Sequence, residues 1–192
     1  MATPSTDPDW PLVCALQGGD ENALTELIHK YEQPLYRFIY RYVGEEEMAR
    51  DLLQETFVRL HFNARKFKPQ AKFSTWLHAI AANLCRDYSR SKQGRKGRAT
   101  VSFDAFDQDQ SRTADTLANP REAMLSKERL AALQAAISEL PHKLREPLIL
   151  FSLEDYSQAR CAELLGVSIK TVETRVYRAR KILQQKLASL EG

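Results

Sequence analysis

Glycine is scarce in this chain of 192 residues, at seven, and no run of alternating β-branched residues is long enough to argue for a sheet. Helical periodicity is what remains. No stretch approaches the ~18 apolar residues needed to cross a membrane, and MATPSTDPDWP lacks the basic start and apolar core of a signal peptide. A cytoplasmic protein with no membrane insertion is therefore expected. Cysteine is limited to Cys14, Cys85 and Cys161, an odd and widely spaced set that implies no disulfide framework and reads as reduced, small apolar residues. The four histidines, His29, His61, His78 and His142, stand in no nucleophile-base pattern, and neither a Gly-rich phosphate loop nor HExxH is present. His78 and Cys85, seven residues apart or ~10.5 Å along a helix, are too distant to share one zinc ion. No catalytic residue, metal ligand or cofactor is expected, and the chain does not read as an enzyme.

Charge is plentiful and unevenly placed. Charged residues make up 28% and hydrophobic residues 43%, an ordinary balance for a soluble globular chain, and the net charge is only +3. Yet Gly44 to Glu55 holds five acids against Arg50, while Arg86 to Arg98 holds six cations against Asp87. Two surfaces of opposite sign suggest two different partners.

Residues 1–10 read as a disordered N-terminus. Helical patterns over 11–92 are broken at Gly18-Gly19, Gly44 and Pro69. From 93 to 126 the periodicity gives way to Asp, Ser, Thr, Gln and Gly, a span too long for a loop inside one compact domain. Periodicity returns over 127–188, with breaks at Pro141, near Asp155 and at Gly166. The expected architecture is all-α, two small helical domains joined by a flexible linker.

In the second domain, Val172, Val176, Ala179 and Leu183 form one apolar stripe of a helix, at i, i+4, i+7 and i+11. Upstream, YSQARCAELLGVS supplies a short helix and a Gly-containing turn, and Ser168 is placed to cap the next helix. Together they make a helix-turn-helix. Opposite the stripe lie Lys170, Thr171, Thr174, Tyr177, Arg178 and Lys181, with Arg175 and Arg180 on its flanks. Cations and hydroxyls on one face suit phosphates and base edges in a major groove. Glu173 either accepts from a cytosine amine or points aside.

In the first domain, GEEEMARDLLQETFVRL sets Ala49, Leu53 and Leu60 on a buried stripe and Glu47, Asp51, Gln54 and Glu55 on the other side. This acidic ridge would repel DNA; it either suits a basic protein surface or solubilises the helix. FSTWLHAIAANLCRDYSR buries Leu77, Ile80, Leu84 and Tyr88 and sets Trp76, Asn83, Arg86 and Arg90 along a flank. An aromatic, an amide and two guanidiniums can stack on an unpaired base, bond its edge and hold its backbone. The loop KFKPQAK before it adds Phe67 and three lysines, although Trp76 and Phe67 also read as core residues.

These segments, with "ISELPHKLREPLIL" between them and the helix-turn-helix, resemble in content and order the extracytoplasmic-function sigma factors of bacterial RNA polymerase. The resemblance spans about residues 11–188 and implies a sigma-2-like domain, a linker and a sigma-4-like domain that bind core polymerase, direct it to promoters and assist melting. It implies that Glu47, Asp51, Gln54 and Glu55 meet the clamp helices of the largest subunit, and that another polymerase subunit contacts the C-terminal domain. Phe67, Lys68, Gln70, Lys72, Trp76, Asn83, Arg86 and Arg90 would hold the minus-ten strand; Ser168, Lys170, Thr171, Thr174, Arg175, Tyr177, Arg178 and Lys181 would read the minus-thirty-five element. An anti-sigma factor is a further partner that the resemblance suggests. The chain departs from the family at Arg160-Cys161, where an acidic residue and isoleucine are usual. The alternative is a helix-turn-helix regulator that binds duplex DNA without polymerase.

Overall fold

The computed structural model describes residues 7–70, 72–96 and 120–188, and the regular structure among these residues is helical. The first half comprises α1 (Trp10–Gln17), α2 (Glu21–Val43), α3 (Glu46–Asn63), a 3-10 turn (Ala64–Lys66) and α4 (Phe73–Lys96). The second comprises α5 (Pro120–Ser138), α6 (His142–Ser152), α7 (Gln158–Leu165) and α8 (Ile169–Ala188).

Local chemistry sets the ends of these helices. Asp20 caps α2, its Oδ1 accepting from the Asn22 N–H at 2.9 Å. The same helix stops at Gly44, whose φ of 77° is a left-handed conformation that glycine adopts without a Cβ penalty. A Cβ at Gly44 would also lie 2.9 Å from Nε2 of Gln134 in α5, so this turn is one of the places where the two halves meet. Ser157 caps α7 by accepting from the Arg160 N–H, and Gly166, at φ 62°, turns the chain into α8.

Two expected boundaries move. Asp7 to Trp10 are ordered and not part of a disordered tail: Asp7 and Asp9 are buried, and the Asp7 carboxylate accepts from the backbone N–H of Phe73, the first residue of α4. Helix N-termini carry N–H groups with no intrahelical acceptor, and a carboxylate delivered from the chain start supplies one. Asp9 in turn binds Lys30 and Tyr31 of α2. At the linker, helix reaches in from both ends, α4 to Lys96 and α5 from Pro120, so 93–96 and 120–126 are helical. Proline is favoured at a first helical position because its missing N–H is one that the helix would leave unbonded anyway. The rest of the expected linker, 97–119, and residues 1–6 lie outside the described residues.

The two domains are folded onto each other. α4 packs against α7, and α2 against α5 and α6. One buried cluster runs from Leu27, Phe38 and Tyr42 to Leu140, Ile149, Leu150 and Val172. This second covering shifts the expected stripe of α4. Leu77 and Leu84 are buried as expected, but Ile80 and Tyr88 are only half-buried, while Phe73, His78, Ala81, Ala82 and Cys85 are buried. In α3, Ala49 and Leu60 are buried, Leu53 is half-buried, and Thr56 and Phe57 complete the stripe. The stripe Val172, Val176, Ala179 and Leu183 is buried throughout. Cys85 and Cys161 are buried free thiols, whereas Cys14 is exposed.

Candidate nucleic-acid and protein interfaces

On α3, Glu47, Asp51 and Gln54 are exposed, and Glu55 is half-exposed with Oε1 taking the Arg59 guanidinium at 2.7 Å. Val58 and Phe62 continue the ridge at helical spacing, 41% and 74% exposed. Periodicity does not single them out. The continuation Asp51, Glu55, Val58, Phe62 is present in the sequence, but an apolar residue late in an amphipathic helix normally signals core.

The loop before α4 and the flank of α4 form a second surface. Lys68, Gln70 and Lys72 are exposed, as are Asn83 and Arg90, while Arg86 is half-buried. Arg86 donates to Asn83 Oδ1, which fixes the amide and leaves its NH2 outward. Phe67 requires a correction: it is 5% exposed, with Trp10, Phe73 and Trp76 around it at ring separations of 5.2–6.2 Å. A ring enclosed by three others offers no face to a base, so Phe67 is a core residue that supports the loop. Trp76 packs on Phe67 and Phe73 but remains half-exposed.

The third surface lies on α8. Ser168, Lys170, Thr174, Tyr177, Arg178 and Lys181 are exposed, and Thr171 and Arg175 are half-buried. Ser168 caps the helix through its Oγ, 3.2 Å from the Thr171 N–H, and shares a hydroxyl bond with Thr171. Glu173 sits 3.4 Å from Lys170 Nζ, an exposed pair that partly offsets its charge on this face.

The second surface is partly taken up by the other domain. Lys72 reaches Glu163 of α7 at 2.7 Å, and Arg160 joins the same carboxylate to Ser74 Oγ at 2.8 Å. Those hydrogen bonds from Lys72 and Arg160 hold the Glu163 carboxyl below its ordinary pKa. Arg86 Nη1 lies 3.0 Å from Glu146 of α6, whose pKa is raised by burial even though Arg86 opposes the rise. On the far side Glu154 receives Arg37 and Arg41 of α2, at 2.9 and 2.5 Å. None of the pairs between the domains was legible in the sequence, because each spans 60 or more residues.

Comparison with known proteins places the chain in a class. The Sigma-70 region 2 family matches residues 27–95, which carry the α3 ridge, the lysine loop and α4; the Sigma-70 region 4 family matches residues 130–183, which include the helix-turn-helix. Region 2 followed by region 4 is the organisation of a sigma factor of the sigma-70 type. The chain is 32% identical over 177 residues to the ECF RNA polymerase sigma factor SigW of Bacillus subtilis, covering 90% of this chain and 92% of that protein. It is 33% identical over 194 residues to the ECF RNA polymerase sigma factor SigE of Mycolicibacterium smegmatis, covering 95% and 73%. The structure of CnrH in complex with the cytosolic domain of CnrY matches with a TM-score of 0.65 and 25% identity, over 95% of this chain and 99% of that one. The chain belongs to the extracytoplasmic-function RNA polymerase sigma factors.

Proposed function

We propose that the three surfaces divide the work of a sigma factor. The α3 ridge, Glu47, Asp51, Gln54 and Glu55, docks on a basic face of core RNA polymerase, with Val58 and Phe62 extending the contact. Lys68, Gln70, Lys72, Trp76, Asn83, Arg86 and Arg90 hold the melted minus-ten strand. The α8 face from Ser168 to Lys181 reads the minus-thirty-five duplex. The observation that carries this reading is the row Asn83, Arg86, Arg90 beside the lysine loop, because an exposed amide held by a guanidinium suits an unpaired base. A regulator confined to duplex DNA would leave that row and the acidic ridge without a use.

Arg86 and Lys72 bind acids of the second domain, so DNA and the closed arrangement compete for the same cations. The domains must part before the strand is held. An anti-sigma factor suits this geometry as a partner that favours the closed form, in keeping with the likeness to CnrH bound to CnrY.

Asn83→Ala tests the reading. Polymerase association and closed-complex formation should be unchanged, while opening of a natural promoter, followed by permanganate reactivity and run-off transcription, should fall about fivefold for the loss of one hydrogen bond. A pre-melted bubble should restore the variant only in part, since it removes the unpairing cost but not the need to hold the base. Opening as fast as the parent would defeat the assignment.

A further inference from the structure

A cavity of about 290 Å³ lies at the seam of the two domains, between the C-terminal half of α4 and the start of α6. Its wall carries Arg86, Ser89 and Arg90 from α4, Glu139 from the turn after α5, and His142 and Arg145 from α6. Arg145 is the anomaly. It is 3% exposed, and among the described residues no carboxylate lies within ion-pair distance of it. Its guanidinium donates instead to the carbonyl oxygens of Tyr42, Ser138 and Leu140 and to Ser89 Oγ, and stands over the Tyr42 ring at 4.6 Å. Its Nε–H meets no acceptor. Buried charges are normally matched by an opposite charge in contact. Arg145 has none in contact: the Glu146 carboxylate, which attracts it from further off, is bonded to Arg86.

The other charges of the wall do not supply the match. Glu139 is the one acid on it, and it is held by Lys186 of α8. Arg86 is already matched by Glu146, and Arg90, mostly exposed, has only a loose pair with Asp87 at 3.6 Å. Ser89 accepts from Arg145 and so keeps its own proton to donate. His142 is held below its ordinary pKa by burial, then by Arg86, Arg90, Lys143 and Arg145, and at neutral pH it is an uncharged donor in a cationic pocket.

The geometry points to a binding site for a small tetrahedral oxyanion of the phosphate class in this cavity, supplying the counter-charge that Arg145 lacks. Arg90, Ser89 and His142 provide donors around it, and the volume admits the anion with several waters of about 30 Å³ each. Because the donors come from α4 and α6, the bound anion ties the domains together. Through Arg86 and Arg90 it also opposes capture of the promoter strand, a consequence that rests on the function proposed above.

The test uses the full chain and inorganic phosphate at fixed ionic strength, with chloride as the balancing ion, followed by phosphorus line width and by the ring resonances of His142. Saturable binding at one site is expected, and it should raise the His142 pKa, since an anion cancels the repulsion that depresses it. His142→Gln and Arg90→Gln should each weaken phosphate by about tenfold, the scale of one charge-assisted hydrogen bond. Arg90→Lys should weaken it less. A response that never saturates, that chloride reproduces, or that both glutamine variants leave unchanged would mean an adventitious ion only and overturn the site. A short single-stranded oligonucleotide without terminal phosphates, in phosphate-free buffer, separates the sources. Leaving the His142 pKa where it was sustains a free oxyanion; raising it as phosphate does would assign the cavity to the DNA backbone and overturn the free ligand. The phosphate measurements use neither polymerase nor DNA, so they stand or fall apart from the sigma-factor surfaces.

Discussion

His78 lies on α4 with its ring centroid 4.3 Å from that of Phe38, 6% exposed, and its Nε2 has no hydrogen-bond partner. Burial lowers its pKa to about 4, and Arg160 and Arg86 add to the effect. The neutral ring is the folded form. Between about pH 6.5 and about pH 4 the unfolded chain binds a proton that the folded chain refuses, so this group's contribution is complete above 6.5 and lost as pH falls toward 4. The shift corresponds to about 3 kcal/mol of stability. Glu146, raised by burial, acts in the opposite sense, because its folded form takes up a proton more readily than the unfolded one as pH falls. The His78 part is therefore isolated by difference: urea unfolding of the parent and His78→Phe at pH 7 and pH 4.5 should show the parent losing about 2 kcal/mol more than the variant. Equal losses would mean that the ring takes up its proton without penalty.

At the scale of single helices, α8 separates two tasks by face. Its stripe of Val172, Val176, Ala179 and Leu183 is buried, and its cations and hydroxyls stand out on the opposite side. Arg178→Ala with Lys181→Ala should leave the fold unchanged and weaken duplex binding, flattening the salt dependence by up to about one unit of log–log slope for each phosphate no longer neutralised. Unchanged affinity and slope would make this a solvated face. On α3 the apolar continuation at Val58 and Phe62 belongs with the acids. Phe62→Ser should lower recovery of core polymerase in a pull-down by about threefold or more, and raise solubility, because an exposed aromatic contributes chiefly when a partner covers it. Undiminished recovery would remove Phe62 from the interface.

Across the whole molecule, ion pairs between the domains engage Lys72 and Arg86, two cations of the proposed strand-binding surface. Surface ion pairs contribute only about 0–1 kcal/mol each, so the closed form rests on several of them and on the buried contact beneath. Glu163→Gln and Glu154→Gln together release Lys72, Arg160, Arg37 and Arg41. The pair should shift the population toward the open form by about tenfold. Solution scattering should then give a larger radius of gyration, and the free chain should bind single-stranded DNA more tightly. An unchanged radius and affinity would place the closure energy in the apolar contact alone. Arg160 is part of this closure, through Glu163 and Ser74.

The sequence by itself determined the helices, their breaks and the faces of α8, because periodicity, capping residues and glycine act within a few neighbours. The ridge Glu47, Asp51, Gln54 and the exposed row of Asn83 and Arg90 were legible for the same reason. Phe67 was not: an aromatic in a lysine-rich loop has the same local pattern whether it stacks on a base or on Trp76, and only the packing of α1 and α4 around it decided. The order of Asp7 to Trp10 likewise depends on the α4 terminus, 66 residues away from Asp7. Above all, the sequence placed two domains on a tether but left their arrangement open. That was decided by contacts between the halves, among them Glu146 with Arg86, Glu154 with Arg37 and Arg41, and Glu163 with Lys72, whose meeting is a property of long-range packing, which no local spacing encodes.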